Sequence, residues 1–293
     1  MRLLIIDAWL HHKNREGLQL MLNYISQQTD NLYDVRYGTQ RDLIEKWDVV
    51  YSPATPINAG LFPKTKFIFG PHFSVFPNKM LGILNNIHYN CIYIQPSEWC
   101  VNVWKQMDVE RVVPLKTMNF PVNTTYFSPK ATGTNNEIII YFKRRRESEL
   151  NMLENYLRER KIKYTLFNYV KKYKEQDYLH TLQNAKFGII LGAHESQGFA
   201  IEEALACNVP LIVWNATNMN QEVGANHPDV PATSIPYWDQ RCGEYFTKWE
   251  EWDNCFNTFL LGIKTKKYKP MEFVIDKLSA KPCAERLLKL LQN

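Results

Sequence analysis

The 293-residue sequence lacks the short motifs that identify several large classes of enzyme. It has no C-x-x-C pair and no closely spaced Cys/His ligand set, so its six cysteines are expected to be free thiols in a reducing compartment. A metal site is therefore not expected. Neither G-x-G-x-x-G nor a Walker loop occurs, which disfavours dinucleotide-dependent oxidoreductases and P-loop enzymes.

Long apolar runs and strong net charge are also missing. An apolar run of only four residues precedes Asp7, which is too short for a secretory signal or a membrane span, so the protein is expected to be cytoplasmic. The net charge of +5 is mild. It suits a site for an anionic ligand and permits peripheral attraction to an acidic membrane surface. A nucleic-acid partner is not expected, because such binders carry a denser basic stripe.

Short apolar strands alternate with helical patterns along the whole chain, which predicts an α/β fold with parallel sheets. Strands are predicted at 2–7, 33–38, 48–54, 66–71, 91–96 and 111–115, then at 137–142, 164–170, 187–191 and 211–214. Between the two series lies a polar, turn-rich linker at 120–136. We therefore expect two facing Rossmann-like domains with a cleft between them, 1–130 and 131–293. The last helix, 283–293, is a candidate to pack back on the first domain.

The most informative stretch is "HESQGFAIEEALACNVPLIVW", residues 194–214. A strand, a loop and a helix from about Gly198 to Cys207 form a βα unit, and ligands of open α/β sheets bind at such loops. The helix N-terminus suits a phosphate, and Gly198 allows close approach. Glu195 and Glu203 could accept hydrogen bonds from hydroxyl groups on either side of that phosphate. A ligand with hydroxyl groups on both sides of a phosphate is a nucleotide sugar. The alternative is two solvated glutamates.

These residues resemble the signature of the group 1 (family 4) glycosyltransferases of GT-B fold. Two glutamates with seven residues between them, then "ALAC" and the Val-Pro of "NVP", match that pattern, whereas Ala200 and Asn208 depart from it. The resemblance implies that Glu195 contacts the transferred sugar and Glu203 the ribose. It also implies that the backbone amides of Gly198 and Phe199 face the sugar and diphosphate. Ser196 and Gln197 are assigned to donor binding with them.

Three further segments receive roles from the same resemblance. The cation run 143–146 is expected to hold the diphosphate, and Lys143 and Arg144 are the favoured residues. Arg145 and Arg146 are equally compatible with solvated surface positions. His72, after the strand at 66–71, is expected to approach the donor sugar, although a lone histidine is as often structural. In "HHKNREGLQ" (11–19), Gly17 and Asn14 are placed where the family has a glycine-rich turn.

The sequence therefore predicts a retaining glycosyltransferase that transfers a hexose or pentose from a UDP- or GDP-sugar to a hydroxyl of a glycan, glycoprotein or glycolipid. No D-x-D occurs and no cofactor is expected, which favours a metal-independent enzyme. The pattern also resembles glycosyltransferases of large DNA viruses. Two alternatives remain open: a nucleotide-sugar epimerase of the same fold, and a catalytically silent protein that binds a nucleotide sugar or nucleic acid through the cation run.

Overall fold

The computed structural model of the chain describes residues 1–6, 10–28, 34–44, 47–55, 57–71, 76, 87–130 and 136–292. The chain divides into two compact units. The first contains Met1–Pro121 together with Ala280–Asn293, and the second contains Val122–Ser279. The change from one unit to the other falls inside the linker predicted at 120–136.

The sheet of the first unit is parallel, with strand order β2-β1-β3-β4-β5-β6. Its strands are β1 (Arg2–Ile6), β2 (Asp34–Gly38), β3 (Val49–Ser52), β4 (Lys66–Phe69), β5 (Cys91–Gln95) and β6 (Leu115–Thr117). The central strands are almost wholly buried, because strands of a parallel sheet are covered on both faces. The strand predicted at 111–115 is wrong: pairing begins only at Leu115, after Pro114, which has no N–H to donate to a ladder.

Eight α-helices are present among the described residues. They are α1 (His12–Gln28), α2 (Glu98–Gln106), α3 (Glu147–Glu159), α4 (Glu175–Leu182), α5 (Phe199–Ala206), α6 (Trp252–Lys264), α7 (Pro270–Lys277) and α8 (Ala280–Gln292). None of these helices combines the length and apolar character needed to cross a membrane.

Helix α1 begins at His12, earlier than the start predicted at residue 17. The residues from His12 to Glu16 are polar and show no helical periodicity, which is why the sequence indicated a loop. Gly17 is buried inside the helix, and a Cβ built there would lie 2.8 Å from the Cβ of Phe120 and 3.1 Å from Cδ of Pro121. The glycine therefore permits α1 to approach the segment that follows β6.

Helix α8 completes the first unit. It packs on α1 and buries Cys283, Leu287 and Leu291. The side-chain amide of Asn119 donates to Sγ of Cys283 at 3.3 Å, and Nζ of Lys66 donates to the carbonyl oxygen of Leu290. The C-terminal residues are thus an integral part of the unit that begins at Met1.

The sheet of the second unit is also parallel, with order β11-β10-β9-β7-β8. Its strands are β7 (Glu137–Lys143), β8 (Thr165–Asn168), β9 (Ala185–Gly192), β10 (Leu211–Trp214) and β11 (Gly243–Phe246). The sequence did not predict β11. A Cβ at Gly243 would lie 1.8 Å from the carbonyl oxygen of Leu211, so β11 can pair with β10 only because this residue is glycine.

Candidate active site of the second unit

The carboxyl ends of the central strands in the second sheet bring the predicted residues together. Lys143 ends β7 and is in register with Gly192, which ends β9. The amide of Ala193 donates to the carbonyl oxygen of Lys143 at 2.8 Å, so the loop after β9 starts beside the end of β7. This edge is where open α/β sheets bind their ligands.

Lys143 and Glu195 form a bidentate ion pair at this edge. The Nζ of Lys143 lies 2.7 Å from Oε1 and 2.8 Å from Oε2 of Glu195, and their side chains are 19% and 11% exposed. The same Nζ lies 4.7 Å from the ring centroid of Tyr169. The amide of Glu195 donates to the carbonyl oxygen of Thr233 at 2.9 Å, which fixes the loop. Two residues that the sequence singled out are therefore in direct contact.

Arg144 pairs with a carboxylate that the sequence did not predict. Its Nη1 lies 2.5 Å from Oε1 of Glu222, and its carbonyl oxygen accepts from the amide of Val223 at 2.8 Å. The backbone of Arg144 has a φ of 50°, in the left-handed region. The hydrogen bond to Glu222 raises the pKa of this guanidinium, so the charge of Arg144 is secured next to Lys143.

The other two cations of the run point elsewhere. Arg145 is 3% exposed; its Nε donates to Glu149 at 2.9 Å, and its Nη1 donates to the carbonyl oxygens of Gly192 and Trp214 at 3.3 and 3.4 Å. The alternative that Arg145 is a solvated surface residue is thus wrong, because its guanidinium joins the ends of β9 and β10. Arg146 is exposed at the N-cap of α3, which fits a solvated position.

Helix α5 begins where the predicted phosphate-binding turn was placed. Gly198 has a φ of 93° at the N-cap, a conformation that disfavours any side chain, and Phe199 is the first helical residue. Ser196 is exposed. Gln197 is buried, and its Nε2 donates to Oε2 of Glu202 at 3.0 Å. The side chain of Gln197 thus contacts the helix that follows its loop.

Glu203 lies in the second turn of α5 and is 4% exposed. Burial raises the pKa of Tyr173 and of Tyr178, and the negative charge of Glu203 adds to both shifts. The Tyr178 hydroxyl donates to the carbonyl oxygen of Ala200 at 2.9 Å and so ties α4 to the start of α5. The carboxylate of Glu203 is therefore held on a rigid, largely buried part of the helix.

A second titratable cluster surrounds Glu222. Its Oε2 lies 3.4 Å from Nδ1 of His194 and 3.5 Å from Nε2 of His227. Burial lowers the pKa of His194 to about 4, with Glu222 opposing the shift, so this histidine is neutral near pH 7. Sequence reasoning missed the cluster, since positions 194, 222 and 227 share no local pattern and meet only because the loops after β9 and β10 adjoin.

The predicted residues of the first unit take different places. Asn14 is partly exposed in the first turn of α1, and Gly17 lies in its second turn against Phe120. The expectation of a turn at this point is therefore wrong. Lys13 of the same segment is buried. His72 lies outside the described residues.

Comparison with known proteins places this architecture in one fold. No protein-family model matches the sequence, and no curated protein matches it significantly. The structure is similar to the N-terminal domain of a Candida albicans trehalose-6-phosphate phosphatase, with a TM-score of 0.61 and 9% identity over 99% of this chain and 96% of that one. It is also similar to sucrose-phosphate synthase from Thermosynechococcus elongatus, with a TM-score of 0.59 and 10% identity over 100% and 98% of the two chains.

The catalytic domain of starch synthase IV from Arabidopsis thaliana, solved with ADP and acarbose, gives a TM-score of 0.57 and 9% identity over 97% and 78%. Against the longer TarM chain, of which this chain spans 55%, the TM-score is 0.53 at 14% identity. At these identities the likeness shows the fold alone. The chain has the GT-B fold, with two parallel-sheet, Rossmann-like units, as the sequence predicted.

Proposed function

We propose that the protein is a glycosyltransferase that transfers a sugar from a UDP- or GDP-sugar to a hydroxyl acceptor, with retention of configuration. The observation that carries this proposal is the meeting of Lys143, Glu195 and the start of α5 at the carboxyl edge of the second sheet. Sucrose-phosphate synthase and an ADP-bound starch synthase, both similar in fold, support the same reading.

The diphosphate of the donor is assigned to the cations and to the helix N-terminus. Lys143 and Arg144 are adjacent, and each now faces a carboxylate, Glu195 or Glu222. A bound diphosphate would compete for the same charges. The N-terminus of α5 adds its backbone amides and a partial positive charge beside Gly198. Together these groups can stabilise the departing nucleoside diphosphate without a metal ion at the phosphates.

The hydroxyl groups of the donor are assigned to the two glutamates. Glu203, fixed in α5, is proposed to accept from the ribose, and Glu195 from the transferred sugar. Both carboxylates are largely buried, at 4% exposure for the residue Glu203 and 11% for the side chain of Glu195. Hydrogen bonds to charged groups in such surroundings contribute about 1.5–3 kcal/mol each.

Retention is proposed to occur by reaction on one face of the sugar. A double displacement needs a free carboxylate nucleophile about 5 Å from its acid partner. Glu195 is assigned to the hydroxyl groups of the transferred sugar and Glu203 to the ribose, so neither carboxylate is assigned to the anomeric carbon. The acceptor proton would instead pass to the departing phosphate oxygen, while the cations hold that phosphate and the site supplies orientation.

Two measurements test this function. A thermal-shift screen of UDP-, GDP- and ADP-sugars should identify a donor, since a ligand at a hundredfold excess over Kd stabilises the native state by about 2.7 kcal/mol. NMR of the anomeric proton during turnover should then show the configuration of the donor kept in the product. An inverted product would contradict the assignment. Release of free nucleotide with an epimerised sugar and no acceptor would identify a nucleotide-sugar epimerase. Binding of a nucleotide sugar without turnover would identify a catalytically silent protein.

A further inference from the structure

The cluster formed by His194, Glu222 and His227 has the composition of a transition-metal site. Each residue offers one ligand atom, and the three atoms lie within 4.8 Å of one another. Two imidazoles and one carboxylate are a ligand set that suits zinc and its neighbours in the first transition row, and it does not suit magnesium or calcium. We propose that these three residues bind one divalent transition-metal ion, with a fourth coordination position open to solvent or ligand.

The distances around Glu222 fit coordination better than direct hydrogen bonding. Its Oε2 lies 3.4 Å from the His194 nitrogen and 3.5 Å from the His227 nitrogen. Charge-assisted hydrogen bonds of this type are shorter, about 2.7–2.9 Å. Two ligands that each lie about 2.1 Å from a tetrahedral ion are about 3.4 Å apart. The carboxylate oxygen therefore stands at ligand-to-ligand spacing from both rings.

The two imidazole rings agree with the same geometry. Their centroids are 5.2 Å apart, and the ring planes cross at 77°. A ring bound through nitrogen has its centroid about 3.2 Å from the metal, so two such rings at a tetrahedral angle are about 5.2 Å apart. The side chain of His227 is 23% exposed, and the proposal requires it to rotate so that its Nε2 approaches the ion.

The charges and anchors around the cluster permit a dication. Glu222 faces Arg144 with its other oxygen, Oε1, which leaves Oε2 toward the histidines. The cations Lys143 and Arg144 are matched by Glu195 and Glu222, so these pairs present no net charge of their own. The bonded Arg144 also orients the carboxylate, as outer-shell partners of metal ligands do.

The ion would add a second link between two loops that the hydrogen bond from the Glu195 amide to the carbonyl oxygen of Thr233 already joins. His194 immediately precedes Glu195 in the loop after β9, whereas Glu222 and His227 belong to the long segment after β10. Bound metal would thus fix the peptide that carries Glu195. The proposed transfer chemistry makes no use of this ion at the phosphates, so metal binding can be tested whether or not the proposed function is correct.

Isothermal titration of the metal-stripped full chain with Zn²⁺ tests the site, with no donor present. We expect one ion per chain, tight binding, and no heat with Mg²⁺. Substitution with Co²⁺ should give the intense visible absorption of a tetrahedral complex. His227→Ala should weaken Zn²⁺ binding by about 100-fold or more, since even outer-shell substitutions cost about 10–100-fold.

His180→Ala is the matched control, because this histidine is exposed on α4 and distant in sequence from the cluster. It should bind Zn²⁺ as the wild type does. The proposal is overturned if the wild type binds no stoichiometric Zn²⁺, or if His227→Ala binds it equally well. Should His227→Ala fail to fold, loss of the Co²⁺ absorption in a folded His194→Asn variant serves as the second test, and unchanged absorption there would equally contradict the site.

Discussion

Two ion pairs at the end of the second sheet use neighbouring cations for different purposes. Lys143 meets Glu195 with side chains 19% and 11% exposed, at an edge where a ligand can reach both. Arg145, two positions further, meets Glu149 with its own side chain 1% exposed and also bonds the last carbonyls of β9 and β10. The first pair can be exchanged for a ligand, whereas the second is part of the sheet. Four consecutive cations are thus no single electrostatic patch.

The largest effect should come from the sheet-facing pair. Arg145→Met should lower the free energy of unfolding by about 3–5 kcal/mol, because it removes the buried guanidinium that pairs with Glu149 and bonds the carbonyl oxygens of Gly192 and Trp214. Chemical denaturation measures this change. Arg146→Met, at the exposed neighbour, should stay within about 0.5 kcal/mol of wild type. Equal losses in the two variants would show that burial does not separate these cations.

The site-facing pair should show its main effect on turnover. Lys143→Met should reduce kcat by about 10²–10³-fold, the effect of removing one donor to developing negative charge, and should lower the melting temperature less than Arg145→Met does, since Lys143 is the more exposed cation. Steady-state kinetics with the donor identified by screening, together with thermal melting, checks both halves. Lys171→Met removes an exposed lysine and is the control. Full activity in Lys143→Met would remove this residue from the proposed mechanism.

A smaller effect is expected at the ribose. Glu203→Gln should weaken nucleoside diphosphate binding by about 1.5–3 kcal/mol, the range for hydrogen bonds to charged groups. Comparing the ribonucleotide with its 2′-deoxy form sharpens the test, because wild type should prefer the former and the variant should lose that preference. Titration calorimetry gives the four affinities. The assignment fails if the variant discriminates as strongly as the wild type.

Chelation should have the smallest effect. Turnover should persist in EDTA, because Lys143 and Arg144 with the N-terminus of α5 neutralise the diphosphate. The assay should include His227→Ala, in which the proposed metal site is lost. This variant separates an effect of EDTA on the metal-bound loops from an effect on neutralisation of the diphosphate. Complete loss of turnover in both proteins, restored by Mn²⁺, would contradict a leaving group stabilised by side chains alone.

Much of the fold could be predicted because buried parallel strands are continuous apolar runs, as in β4 and β9. The same reasoning missed β11, a four-residue edge strand that starts at Gly243 and exposes Tyr245. The start of α1 was missed because its first turn is polar throughout. These elements are specified by tertiary packing, such as the contact of Gly17 with Phe120. The local sequence pattern does not show such contacts.

The candidate site divides in the same way. The spacing of Glu195 and Glu203 is local and matches the glycosyltransferase signature that the sequence resembles, and Lys143 was assigned by the same resemblance. Glu222 could not be found, since it is brought to Arg144 by the path of the loop after β10. The burial of Arg145 could not be predicted either. A guanidinium is buried only where carbonyl groups and a carboxylate accept its hydrogen bonds, and the sequence around Arg145 does not show where the carbonyl groups of β9 and β10 lie.

The membership of α8 in the first unit has a consequence for synthesis on the ribosome. Residues 122–279 are contiguous, so the second unit can fold as soon as it has emerged. The first unit, although translated earlier, lacks the helix that covers α1 until residues 280–292 appear. Nascent chains arrested before Ala280 should therefore expose the apolar face of α1 to chaperones and proteases. The first unit is thus translated before the second but completed after it.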